Sequence, residues 1–286
     1  MSDPLLRIAA ALERLAPPPP ADADPAAYPA YVWRDGVLVT ARDFRPLPLA
    51  ILHGVDAQKA ALLDNLRRLA AGQAAQDVLL WGARGTGKSA LVKSVVGAVQ
   101  QEVEGAGENR GGSEGGRDRA PLALVEVAAD RLLTLPRLFD TVARAKRAYA
   151  IFIDDLGFDA AADARVLRSL LEGGAEARPA NARLIVTSNR RHLVTRDIRE
   201  QESAINPRDS IDDQMALADR FGLSLGFHVV DQDAYLAIVR GYADHYGLPF
   251  DPVDAVQWAT RRGSRSGRVA WQYVVELAGR TGSALP

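Results

Sequence analysis

Between residues 77 and 229 the chain sets five short apolar runs among helical segments: "DVLLW" (77–81), "LALVEV" (122–127), "YAIFI" (149–153), "RLIVTS" (183–188) and "LSLGFHV" (223–229). Runs this short and almost continuously apolar read as strands buried on both faces. Strand and helix in regular alternation fold into a parallel sheet with helices on both sides. The expected core is therefore an α/β sandwich with five parallel strands. After about residue 230 the strands stop. "DQDAYLAIVRGYADHYG", "PVDAVQWATRRG" and "SGRVAWQYVVELAG" keep helical spacing and predict a small all-α C-terminal domain.

Upstream, residues 4–16 alternate apolar and polar positions as one amphipathic helix, and "PPPPADADP" then breaks it into a stiff, extended linker. "YVWRDGVLVT" places β-branched and aromatic residues around Asp35-Gly36, a hairpin signal. "GVDAQKAALLDNLRRLAAG" reads as a helix closed by Gly72. The stretch 104–119 is Gly-rich and charged with no apolar period, which predicts a disordered surface insertion. Three parts follow: an N-terminal helix, linker and hairpin (1–46), a core (47–229) and a helical domain (230–286).

Composition narrows the chemistry. The chain has no cysteine, which excludes disulfides, thiolate metal sites and thiol catalysis. Its histidines, His53, His192, His228 and His245, lack metal-ligand spacing. A formal net charge of −1 gives no overall positive field for nucleic acid, so any such contact needs a local patch. No apolar run approaches the roughly 18 residues of a membrane span, and the N-terminus lacks a basic leader. The expected location is the cytoplasm, with no membrane contact.

"GARGTGKS" (82–89) fits G-x-x-x-x-G-K-[ST], with Gly82, Gly87, Lys88 and Ser89 in register between a predicted strand and a predicted helix. Glycines let the backbone curl until successive N–H groups point at phosphate oxygens. The helix that follows adds the positive end of its dipole. Gly82, Ala83, Arg84, Gly85, Thr86 and Gly87 would form that cradle, with Lys88 on the phosphates and Ser89 on Mg²⁺. Only four lysines stand among 35 basic residues, so a lysine kept at this point suits a compact charge.

"YAIFIDDLGF" is a buried strand ending in Asp154 and Asp155. The first acid in such a place can anchor Mg²⁺, and the second can activate water. The plainer alternative is a helix cap or turn. Asn189 ends the next strand on the edge where open parallel sheets form their ligand crevice, although asparagine is also an ordinary turn residue. Arg220 precedes the fifth run, and Arg261, Arg262, Arg265 and Arg268 fall within eight residues. Arginines suit charge on phosphoryl oxygens; a surface ion pair for Arg220 and a solvated or nucleic-acid-contacting cluster for the others are the alternatives.

In this order the segments resemble the AAA+ ATPase module. "GARGTGKS" is similar to its Walker A motif, "IFIDD" to Walker B, "TSN" to sensor 1, "LADRF" to the arginine-finger box and "GSRSGRVA" to the sensor-2 helix of its lid. "HGVDAQKAALLDNL" is similar to the segment that crosses the adenine. More narrowly, "VLLWGARGTGKSALVK", "LPRLFD", "IDDLGFD", "EARPANARLIVTSNRRHL" and "RGSRSGRVA" resemble a bacterial AAA+ family designated only as a domain of unknown function, over about residues 31–280. The resemblance implies ATP and Mg²⁺ as cofactors, with Lys88 and Ser89 at the phosphates and metal and Asp154 on Mg²⁺. It implies Asp155 as base, Asn189 as sensor 1, Arg268 as sensor 2 and Arg220 as a finger reaching a neighbouring subunit of a homo-oligomer. Asp rather than Glu at 155 is similar to the initiator and helicase-loader branch (DnaA, DnaC and IstB-like proteins) and implies slow, switch-like hydrolysis.

Three functions compete. The first is an ATP-hydrolysing switch or motor acting on an unknown protein client. The second is a nucleic-acid loader of the initiator type, favoured by Asp155 and the arginine-rich segment but opposed by the net charge. The third is a small-molecule kinase, which leaves "TSN", "LADRF" and the helical domain without a role. ATP is expected rather than GTP because the chain lacks a guanine-reading N-K-x-D.

Overall fold

The computed structural model describes residues 3–15, 22–108, 122–157, 161–172, 178–189 and 218–285. Helix α1 (Pro4–Leu15) exposes Leu5, Ile8 and Leu12. Strands β1 (Ala30–Arg34) and β2 (Val37–Thr40) form the expected hairpin, with Asp35 and Gly36 both at positive φ, as a tight two-residue turn requires. Helix α2 (Asp56–Ala70) is followed, after its cap Ala71, by Gly72 at φ 70°. Then follow β3 (Val78–Gly82), α3 (Lys88–Glu108), β4 (Leu122–Val127), α4 (Leu135–Ala143), β5 (Ala148–Ile153), α5 (Ala161–Glu172), β6 (Ala182–Ser188) and β7 (Leu223–Phe227).

The described strands make one seven-stranded sheet in the order β2-β1-β4-β5-β6-β3-β7. The five expected strands are there, all parallel, but the count of five is corrected. The hairpin docks on the sheet edge, β1 pairing parallel to β4 and β2 antiparallel to β1. Burial explains the addition: Tyr31, Trp33 and Leu38 are almost wholly inaccessible, and a lone hairpin has no surface on which to hide them. The segment before it is also tied down. Buried Arg147 donates to the carbonyls of Ala26 and Tyr28, and the Tyr149 hydroxyl donates to Pro25 O at 2.8 Å.

Period-two sorting divides the core. Along β5, Tyr149, Ile151 and Ile153 face α4 and α5, whereas Ala148, Ala150 and Phe152 face α2 and α3. The third core belongs to α6 (Gln232–His245), α7 (Pro252–Arg261) and α8 (Gly267–Arg280), packed around Tyr235, Val239, Tyr273 and Val274. Side chains of Asp231, Asp251 and Ser266 cap these helices by accepting from the N–H groups of Ala234, Val253 and Val269.

Of the stretch expected to be disordered from residue 104, residues 104–108 instead continue α3 to Glu108. Its glycines there cost about 1 kcal/mol each against alanine, which a long, packed helix absorbs. Residues 109–121 lie outside the described ones. No described helix is long and apolar enough to cross a membrane.

Candidate active site

Strand β3 lies between β6 and β7, so the turn after it opens at the carboxyl edge of the sheet. The turn is built for close approach. Gly82 has φ 131°, and a Cβ on it would lie 2.0 Å from Phe227 O. Gly85 and Gly87 follow at φ 75° and 94°. Helix α3 then begins at Lys88, with its amino end aimed at the turn.

Lys88 is buried, 5% exposed, and its Nζ donates to Gly82 O at 3.0 Å, Ala83 O at 2.8 Å and Asn189 Oδ1 at 3.0 Å. Burial lowers its pKa, while the carboxylates of Asp154 and Asp155 pull the other way. Ser89 Oγ donates to Asp154 Oδ1 at 2.7 Å. Thr187 Oγ1 donates to the same oxygen at 2.5 Å and accepts the backbone N–H of Asp155 at 2.8 Å. Asp155 takes a left-handed φ of 51°, rare for a residue with a side chain and frequent at functional turns. Its Oδ1 accepts from Asn189 Nδ2, and its Oδ2 lies 3.8 Å from the Arg84 guanidinium.

These groups line one cavity of about 530 Å³ with two chemically different ends. The polar end holds residues 84–89, Asp154, Asp155, Asn189 and Arg268. The apolar end is walled by Ile51, Leu52, Val55, Ile238, Tyr242 and Trp271. A flat base on an anionic tail needs such a division. The N-terminus of α8 meets the loop directly: a Cβ on Gly85 would lie 3.0 Å from Ser266 Oγ and 3.5 Å from Arg268 Cβ.

Of the residues singled out in the sequence, the structure brings Arg84 to Ser89, Asp154, Asp155, Asn189 and Arg268 to one cavity. Gly82 and Ala83 sit behind it and offer carbonyls to Lys88. Arg220 stands apart from the cavity lining; its Nε donates to Glu172 Oε1 at 2.8 Å. Sequence reasoning passed over Thr187, which sits inside the quoted "TSN". It also missed the aromatic wall of Tyr242 and Trp271, which carries no local motif.

Ser89 and Asp154 offer a hydroxyl and a carboxylate 2.7 Å apart, hard oxygen donors suited to Mg²⁺. Among the described residues no group of three or more acids or histidines is arranged to hold a metal. Two protein oxygens with the remaining positions left to phosphate and water is the usual manner of Mg²⁺ binding at phosphate loops.

A family model described as a protein of unknown function (DUF815) matches residues 26–281. The chain belongs to this family. No curated protein matches this DUF815 chain in sequence. Among solved structures, it is similar to the Aeropyrum pernix ORC1 protein in complex with DNA, at 17% identity and TM-score 0.52 over 82% of this chain and 61% of that one. It is similar to the Aeropyrum pernix ORC2 protein, solved as ADPNP–ADP complexes, at 15% identity and TM-score 0.52 over 85% of this chain and 67% of that one. The Thermotoga maritima RuvB Holliday junction branch migration motor aligns at 14% identity and TM-score 0.49, over 84% and 68%. The DUF815 chain thus shares an α/β fold with the Aeropyrum pernix ORC1 and ORC2 proteins and spans about three-fifths of the ORC1 protein.

Proposed function

We propose that the chain binds ATP with Mg²⁺ and hydrolyses it, as an AAA+ switch that acts through self-association on a protein client. The observation that carries this reading is the single cavity in which Lys88, Ser89, Asp154, Asp155, Asn189 and Arg268 meet beneath an apolar wall. In it, loop N–H groups and Lys88 hold the phosphates, and Arg268 reaches them from α8. Ser89 and Asp154 would hold Mg²⁺, which would supply positive charge beside the phosphoryl oxygens. Asp155, oriented by Asn189, takes the proton of the attacking water. Aspartate is one methylene shorter than glutamate, so its carboxylate stands back from that water and turnover is slow. Residues 230–286 serve as a lid, residues 47–229 as the ATPase core, and residues 1–46 as the part that precedes it.

Arg220 is not among the residues that line its own cavity and pairs with Glu172; as a finger its guanidinium would act on the nucleotide of a neighbouring copy. The test is ATP turnover at several protein concentrations. Turnover rising with concentration in the wild type, absent in Lys88→Ala and flat in Arg220→Ala supports the proposal. Normal turnover by Arg220→Ala at every concentration would remove the finger.

A second reading, an ATP-dependent DNA loader of the initiator type, draws on the fold shared with an ORC1 protein solved with DNA and on exposed Arg261, Arg262 and Arg265. Gel shifts with single- and double-stranded DNA, with and without ATP, decide it. Absence of binding at low salt rules it out.

A further inference from the structure

The phosphate loop carries two cations, and the mechanism above uses only Lys88. Arg84 lines the same cavity with a side chain that is 74% exposed, so packing does not account for its charge. Its guanidinium lies 3.8 Å from Asp155 Oδ2. The other oxygen of Asp155 accepts from Asn189, whose own carbonyl oxygen accepts from Lys88 at 3.0 Å. Arg84, Asp155, Asn189 and Lys88 thus form a continuous chain around the polar end of the cavity.

Each cation in that chain rests on a protein acceptor weaker than a phosphate. An exposed guanidinium–carboxylate pair at this separation is worth little, because water screens it. A guanidinium on a phosphoryl group makes charge-assisted, frequently bidentate bonds. The backbone beneath Arg84 is also held. A Cβ on Gly85, at φ 75°, would lie 3.0 Å from Ser266 and 3.5 Å from Arg268 Cβ, so the start of α8 lies close over the loop while the Arg84 side chain stays open to solvent. Arg84 and Arg268 both act on Lys88 through their charge, which puts three cations around two carboxylates when no nucleotide is counted.

We infer that Arg84 reads the terminal phosphate: it pairs with Asp155 in the absence of a triphosphate, and moves to the γ-phosphate oxygens when one binds, leaving Asp155 Oδ2 free. This rests on the nucleotide-binding reading above, and gives the chain its own preference for a nucleoside triphosphate over a diphosphate.

The test is calorimetric titration of the full chain, in Mg²⁺, with a non-hydrolysable ATP analogue and with ADP. In Arg84→Ala the analogue is expected to weaken about tenfold, and ADP by less than about twofold. Arg84→Lys falls between wild type and Arg84→Ala, because a point charge lacks the guanidinium fork. Lys88→Ala weakens both nucleotides. Equal weakening of analogue and ADP in Arg84→Ala, or weakening of neither, overturns the role of Arg84 and leaves the nucleotide site standing. Failure of the wild type to bind either nucleotide overturns the nucleotide-binding reading, and this inference with it.

Discussion

Lys88 and Asn189 stand 101 residues apart in sequence, yet Nζ of the first donates to Oδ1 of the second at 3.0 Å. The same Asn189 donates its amide to Asp155, so one side chain spans Lys88 and the candidate base. The orientation of that amide is fixed by its two partners, one a donor and the other an acceptor. Asn189→Asp places a carboxylate against Asp155. ATP turnover should fall about a hundredfold, while ATP binding, measured by calorimetry, survives. Retained turnover would separate Asn189 from the chemistry.

Asp155→Asn keeps the shape of the turn and the contact to Asn189 but removes the base. The expected result is a chain that binds ATP about as tightly as wild type and turns it over about a thousandfold more slowly. Single-turnover phosphate release checks this. A loss of binding equal to the loss of rate would assign Asp155 to binding instead.

Trp271 packs on Tyr242 and Tyr246, with ring centroids 5.3 and 5.8 Å away, and closes the apolar end of the cavity. Trp271→Ala should weaken ATP, ADP and AMP alike, by about tenfold, because it touches the end that the phosphates do not. Titration of the three nucleotides tests the assignment of that wall to the base. A loss confined to ATP would place the base elsewhere.

Gly82→Ala is expected to destabilise the fold by about 3 kcal/mol or more. The added methyl would meet Phe227 O at 2.0 Å, and the clash is with backbone in the neighbouring strand β7 rather than with a side chain that can turn away. Urea unfolding measures the loss.

Asp77 supplies the pH dependence. Its Oδ1 accepts the N–H of Leu184 at 2.8 Å, and its Oδ2 meets Arg178 at 2.6 Å. Burial raises its carboxyl pKa above the ordinary 3.8, with Arg178 only partly opposing. A carboxyl with a raised folded pKa binds protons more tightly folded than unfolded. Its stabilising contribution is complete below the unfolded value and is lost as pH rises through the folded one. Asp77→Asn lacks this titration. The stability of wild type relative to Asp77→Asn should therefore grow as pH falls from about 7 toward about 4, as read by urea unfolding. A difference independent of pH would mean that burial does not govern Asp77.

Much of the site was legible because its demands are local. A phosphate loop needs glycines at particular backbone angles within eight residues, and Gly82, Gly85 and Gly87 take positive φ as that requires. Asp154 and Asp155 follow an apolar strand whose end a reader can locate from the residues. The hairpin turn at Asp35-Gly36 was legible for the same reason. Its destination was not. Whether β1 stands alone or joins β4 depends on which edge is free and on how much of Tyr31 and Trp33 must be covered, and neither quantity is written in the hairpin.

The amino-acid sequence by itself determined the five parallel strands, the glycine-rich turn before α3, the acids at the end of β5 and the helical character of residues 232–280. These follow from periodicity and backbone stereochemistry over a few residues. Only the tertiary structure decided the docking of the β1–β2 hairpin on β4, the place of β3 between β6 and β7, the pairing of Arg84 with Asp155, the bridge made by Asn189 and the aromatic wall from α6 and α8. Each of these joins residues far apart along the chain. Such contacts are chosen by the packing of the whole core, because burial is a property of the assembled layers and not of any one segment.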